Sequence, residues 1–213
     1  MAKHNFNLVF LFGLCALMLS GCSSSPAPIS QNNGLASAQY TPLPGDLALR
    51  DKAGYSQKDK RWARQTLGGS GESLAAAGCV VTSAAIAMTN LGHDIDPGTL
   101  NAEVKSSGGY TDQGWFIWDS VRKVSGGALE ARFYDDVSPE IIDGCMADGF
   151  YPLTRFILPN GRTHWAVIIK RTKQGYYMRD PLHPSKKPLL FPRGADAFKA
   201  VRCIGKSAQN TKA

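Results

Sequence analysis

The first apolar stretch, Leu8 to Leu19, is twelve residues without a charge, broken by Gly13 alone. From Ser23 to about residue 50 the pattern turns polar, with prolines at 26, 28, 42 and 44 and no periodic apolar face, so no packed element is expected there. Helical spacing begins at Cys79, where Val80, Ala84, Ile86, Ala87 and Leu91 recur with a helical period before Gly92, predicting a helix over 79–91. Pro97, Leu100 and Val104 predict a second helix that ends at Gly108-Gly109, and residues 115–124 and 139–147 read as two more. The period then changes. Tyr151 to Leu158, Thr163 to Arg171 and Tyr176 to Arg179 are short β-branched or aromatic runs separated by the turn signals Asn160-Gly161 and Gln174-Gly175. The expected class is α+β, a helical N-terminal half packed on a C-terminal antiparallel sheet, with no internal repeat.

A run of twelve residues cannot cross a bilayer, which takes about 20, and with Lys3 and His4 ahead of it the segment has the layout of a signal peptide. It ends in Leu19-Ser20-Gly21-Cys22, which resembles the bacterial lipobox. That resemblance implies removal of residues 1–21 and a lipid on Cys22, and Ser23 behind it implies outer-membrane sorting in a Gram-negative cell. An ordinary signal peptide cut nearby, or a buried strand, is the alternative. Residues 22–50 then form a tether with a reach of about 30 Å. A folded domain over 51–205 follows, and 206–213 are expected to be a frayed polar tail. The expected location is the cell envelope, with the membrane as a partner through the lipid anchor.

Composition (43% hydrophobic, 9% aromatic over 213 residues) allows one ordinary core and excludes wholesale disorder, collagen and a multi-span membrane protein. Charge is uneven: residues 1–150 hold 11 Lys/Arg and 15 Asp/Glu, whereas 151–213 hold 13 and 2. The basic residues are scattered among Pro, Gly and apolar positions, with no recognition helix, aromatic platform or Cys/His finger, so nucleic acid is not an expected partner.

The chemistry concentrates in three places. A nucleophilic thiol must be partly thiolate, and a helix N-terminus favours that charge; Cys79, behind Gly78, opens the predicted helix. His164 lies inside the predicted strand Thr163-His164-Trp165-Ala166-Val167, and Asp180 ends the next strand just before Pro181. Adjacent antiparallel strands can bring His164 and Asp180 together, so that the carboxylate orients the imidazole. A buried thiol, a satisfied core histidine and a turn-opening aspartate are the bland readings of these residues taken one at a time.

Taken together with Tyr55-Ser56-Gln57, Trp62, Gly78-Cys79-Val80-Val81-Thr82-Ser83 and Arg179-Asp180-Pro181-Leu182, these segments resemble the papain-like cysteine peptidases of the bacteriocin-leader (double-glycine) type, in their stand-alone C39-like form. The resemblance runs from about residue 53 to 204. It implies a papain-like fold and a Cys79-His164-Asp180 triad, with Gln57 completing an oxyanion hole and a peptide or protein as substrate, without a cofactor. Two departures stand out: the 22-residue spacing from Gln57 to Cys79, and Val80 where related sequences often carry glycine. No transporter region follows, so leader removal coupled to export is not implied. A cell-wall amidase or transglutaminase-like acyltransferase would use the same residue types, and a non-catalytic binding lipoprotein would keep the cleft alone.

Cys145 and Cys203 remain. Outside the cytoplasm they can pair as a disulfide, and two buried thiols are the alternative. His93-Asp94-Ile95-Asp96 carries metal-ligand residue types but reads as a turn into the Pro97 helix, so no metal is expected. Gly68-Gly69-Ser70-Gly71-Glu72-Ser73 lacks the Gly-Lys-Ser/Thr ending of a phosphate loop and reads as a flexible loop. His183 is given no role.

Overall fold

The computed structural model describes Leu43 and residues 45–208. The signal segment, Cys22, most of the tether and residues 209–213 lie outside the described residues. In chain order the elements are β1 (Leu47–Ala48), α1 (Leu74–Ala77), α2 (Cys79–Asn90), α3 (Pro97–Ser106), α4 (Ser120–Val124), β2 (Leu129–Phe133), α5 (Pro139–Ala147), β3 (Tyr151–Ile157), β4 (Thr163–Thr172), β5 (Gly175–Arg179), β6 (Leu189–Leu190) and β7 (Phe198–Lys206). The strands form one antiparallel sheet in the order β2-β7-β3-β4-β5-β6, with β1 paired to the far end of β4. The class is α+β.

The sheet is buried on both faces. Val167 and Ile169 of β4 pack with Val81, Ile86 and Leu100 from α2 and α3, while Ala166 and Ile168 face Ile142 and Met146 of α5 with Phe198 and Val201. This alternation is what the two-residue period of a strand demands when both faces are covered. α2 is buried from Val81 to Asn90, because it is small, apolar and enclosed on all sides. Its last residue ties down the incoming chain, as Asn90 Oδ1 accepts from the backbone N–H of Lys52 and Ala53. The Asp96-Pro97 start of α3 also behaves as its chemistry predicts: the Asp96 carboxylate accepts from the N–H groups of Gly98 and Thr99, and Pro97 sits where no N–H is needed.

Four sequence expectations are corrected. The helix expected over 115–124 is only Ser120–Val124; before it, Tyr110 and Phe116 form an isolated antiparallel bridge, and the aromatics of 115–118 line a cleft instead of a helix face. The 68–73 loop is a closed turn, held by Leu67 N–H to Glu72 O at 2.8 Å and by the Thr66 and Ser73 bridge. The tether gives way to structure before residue 50, where β1 pairs with β4 and Arg171 donates to the carbonyls of Leu43 and Gly45. At the other end, Gly205 and Lys206 continue β7 and Ser207 is buried. Within the expected α+β plan, β2 of the helical half pairs with β7, and α5 lies on the face opposite α2.

Cys145 of α5 and Cys203 of β7 are joined as a disulfide across 58 residues. Closing a loop of that size is worth about 2–4 kcal/mol, mostly through the unfolded state. Reduction is expected to add two hydrogens to the intact mass and to lower the thermal midpoint, read by mass spectrometry and a paired melt.

Candidate active site

Cys79 stands at the first position of α2, held there by a close approach. A Cβ on Gly78 would lie 2.5 Å from the Leu74 side chain and from the Leu74 carbonyl, so only glycine lets α1 turn directly into α2. The thiol is half-buried and is the one free cysteine among the described residues. Ser83, one turn further along α2, donates from Oγ to Trp165 O at 3.3 Å, which registers the helix against the start of β4. His164 is there. Its ring is 2% exposed, and its Nε2–H donates to Asp180 Oδ1 at 2.6 Å. With Nε2 committed, Nδ1 is the ring nitrogen left free, and Cys79 is the other side chain that bears on the charge of the ring.

The charges at this pair reinforce each other. Burial works to lower the His164 pKa, but the hydrogen bonds and charges of Asp180 and Cys79 outweigh it and hold the ring's pKa up at about 9. Burial likewise works to raise Asp180, yet His164, His183 and the Leu182 N–H together bring it down to about 2. At neutral pH the arrangement is an imidazolium between a carboxylate and a sulfur. That is the charge distribution in which the sulfur is the nucleophile and the ring carries a proton for a leaving group.

Asp180 is steadied from several sides. Its Oδ1 also accepts from Leu182 N–H at 2.8 Å, and its Oδ2 from His183 Nδ1 at 3.0 Å. The preceding Arg179 binds Asp51 with two parallel hydrogen bonds of 2.8 and 2.7 Å and donates to the carbonyls of Ser185 and Lys186, pinning the loop after β5. The sequence analysis quoted Arg179 within a motif without giving it a task of its own, and it gave His183 no role. Their signal is weak, since a histidine three residues beyond an Asp-Pro and an arginine before it are common in turns.

Gln57 is 1% exposed and lines the same cleft as Cys79 and His164. Its Nε2 donates to Ala75 O at 3.0 Å, which uses one of the two amide hydrogens and leaves the other free; its Oε1 is buried without a partner. The Gln57 backbone N–H donates to Pro181 O at 3.1 Å, so the segment bearing the amide is stitched to the segment behind Asp180. Three of the four residues expected from the sequence, Gln57, Cys79 and His164, therefore line one cleft, and Asp180 stands behind His164. Cys145 and Cys203 are apart from it, in the disulfide.

The cleft has a volume of about 860 Å³ and is open to solvent. Tyr110, Phe116, Trp118 and Trp165 make one wall, α1 and Gln57 contribute another part, β3 brings Arg155 and the turn between β3 and β4 brings Arg162.

No family model matches the chain, and no curated protein matches it. Among solved structures it is similar to a crystal structure described as a "putative C39-like peptidase" from Bacillus anthracis, with 14% sequence identity, coverage of 76% of this chain and 98% of that one, and a TM-score of 0.49.

Proposed function

We propose that the chain is a cysteine peptidase working through a papain-like mechanism on peptides or proteins of the cell envelope. The observation that carries this reading is the order of groups at the cleft: Cys79 at a helix start, His164 against it, and Asp180 2.6 Å from the far nitrogen of the ring. The Cys79 sulfur adds to the carbonyl carbon, its proton residing on His164 Nδ1. The oxyanion that forms is received by the Cys79 backbone N–H and the free amide hydrogen of Gln57. His164 then passes its proton to the leaving nitrogen as the C–N bond breaks, leaving a thioester. Water, deprotonated by the same ring, attacks the thioester, and the sulfur departs to close the cycle.

The experiment is alkylation of the soluble form, residues 23–213, with a low dose of an epoxysuccinyl or iodoacetamide probe near pH 6. Single labelling at Cys79 that disappears in His164→Ala is the expected result; equal labelling of both proteins would return the fold to the binding-lipoprotein reading. Gln57→Ala is expected to lower turnover by about 10²–10³. It should leave alkylation by iodoacetamide largely intact, because displacement at a saturated carbon forms no oxyanion; a collapsed site would lose both.

The anchoring at Cys22 belongs to the same proposal and rests on the sequence of residues 8–22. Among the described residues no helix is long and apolar enough to cross a membrane. A mature N-terminus at Cys22 carrying diacylglycerol, read by mass spectrometry of the detergent-extracted protein, is the expected result.

A further inference from the structure

The mechanism above uses one side of the cleft and leaves two features of it without a task. One is the aromatic wall. Tyr110 meets Phe116, Phe116 meets Trp118, and Trp118 meets Trp165, with ring centroids 6.1, 5.4 and 5.5 Å apart, so the chain of rings ends on the residue next to His164. Trp115 extends it at the rim with 71% of its surface exposed. The four contiguous rings are half-buried and line the cleft, and rings so placed beside a nucleophile form a surface for an apolar side chain.

The other is Arg155. It sits on β3 directly opposite Trp165 of β4, so the two side chains share a face and the guanidinium lies beside the end of the aromatic wall. It is half-buried. Its Nε is sealed from solvent with no hydrogen-bond partner, and its Nη2 reaches only the Lys199 carbonyl at 3.3 Å. Among the described residues no carboxylate lies in ion-pair range of it, and the neighbouring Arg202 is a like charge. The other charged residues along the cleft, His164 apart, are Lys58, Arg162 and the single acid Glu72, so the positive side has the excess. Arg162 and Lys58 are exposed and hydrated, which leaves Arg155 as the cleft cation that is partly withdrawn from water without a counterion.

A partly desolvated guanidinium without a counterion is unfavourable, and a carboxylate is the group whose geometry matches it best. We propose that the cleft selects substrates bearing a carboxylate that docks on Arg155, next to a bulky apolar side chain lying on the aromatic wall. This rests on the cysteine-peptidase reading and names its substrate class: acidic-aromatic peptides. The carboxylate can come from an Asp or Glu side chain or from a free chain terminus, and the chemistry at Arg155 is the same.

The test uses peptidyl epoxysuccinates containing Phe and, beside it, Asp, Asn or Lys, each made with an amidated and a free C-terminus. The second-order rate of Cys79 labelling is read by intact mass, which does not require the natural substrate. A charge-assisted contact predicts that the Asp member labels wild type about 10–100-fold faster than its Asn isostere, with Lys slower still. That ratio is expected to fall to within about threefold in Arg155→Gln, to stay intermediate in Arg155→Lys, and to narrow in wild type as salt is raised. If the carboxylate is a chain terminus, the free acids outpace the amides while Asp and Asn tie, and the ratio again collapses in Arg155→Gln. Equal rates for Asp, Asn and Lys with both termini in wild type overturn this inference and leave the peptidase reading standing. A charge preference that survives Arg155→Gln but is lost in Arg162→Gln overturns the assignment to Arg155. Failure of every member to label Cys79 faster in wild type than in His164→Ala overturns the peptidase reading itself. Should Arg155→Gln not fold, the wild-type ratios and their salt dependence decide alone.

Discussion

Cys79→Ala and His164→Ala are each expected to lower kcat/KM by about 10⁵–10⁶, and the double variant no further. The two groups act as a unit: without the ring the sulfur has nowhere to place its proton and the leaving nitrogen has no donor, and without the sulfur the ring has no nucleophile to serve. What is expected to survive is the proposed oxyanion hole and the cleft, which together would retain a residual rate. The cycle is measured with a quenched-fluorescent peptide, with thermal melts as the control for folding. Independent, multiplying losses would mean that Cys79 and His164 do not serve one reaction.

Asp180→Asn is expected to cost about 10²–10⁴ in kcat and to change the pH profile as well. Asp180 acts through His164 and is a positioning residue, so its removal leaves both reacting groups in place but loosens the ring and removes the charge that supports its proton. The His164 pKa stands at about 9, raised by Asp180 and Cys79, so the alkaline limb of activity is expected near there in the wild type. In Asp180→Asn it moves toward the ordinary histidine value of about 6.5.

The same shifts carry a stability consequence. A raised histidine pKa stabilises the fold fully below about 6.5 and loses that contribution as pH climbs to about 9. The lowered Asp180 pKa stabilises above its ordinary 3.8 and loses its contribution as pH falls toward about 2. The pair therefore favours the folded state most between about pH 4 and 6.5, with a limiting slope of about 1.4 kcal/mol per pH unit on either side. Urea melts at pH 5, 7 and 9 check this. An Asp180→Asn protein with the wild-type slope above pH 7 would place the stabilising charge elsewhere.

What was legible in the sequence was local. α2, α3 and α5 announced themselves through apolar spacing and through Pro97 and Pro139 at their starts, and the β3, β4 and β5 meander through its turns. Asp180 could be placed beside His164 because one hairpin separates them. The stretch 115–119 misled because consecutive aromatics look like a buried helix when they in fact line a cleft, and periodicity does not distinguish the two. β2 and β7 escaped because their pairing partners lie far off in sequence, and β7 interleaves Lys and Arg with its apolar residues. Arg155 was invisible for another reason. Nothing in a sequence tells a solvated arginine from one whose Nε has been closed off by its neighbours.

The stitching of the Gln57 segment to the Asp180 segment also bears on when, on the proposed reading, the thiol would become reactive. Ser56 and Gln57 meet Pro181 across about 125 residues of chain, a span covering nearly the whole domain. A growing chain carries its thiol early, on a helix that needs only its neighbours to form, yet the groups that would arm that thiol arrive with the last third of the domain. Contacts this distant in sequence close late. On the proposed peptidase reading, the thiol is therefore expected to stay unarmed until the end of the domain has joined its beginning.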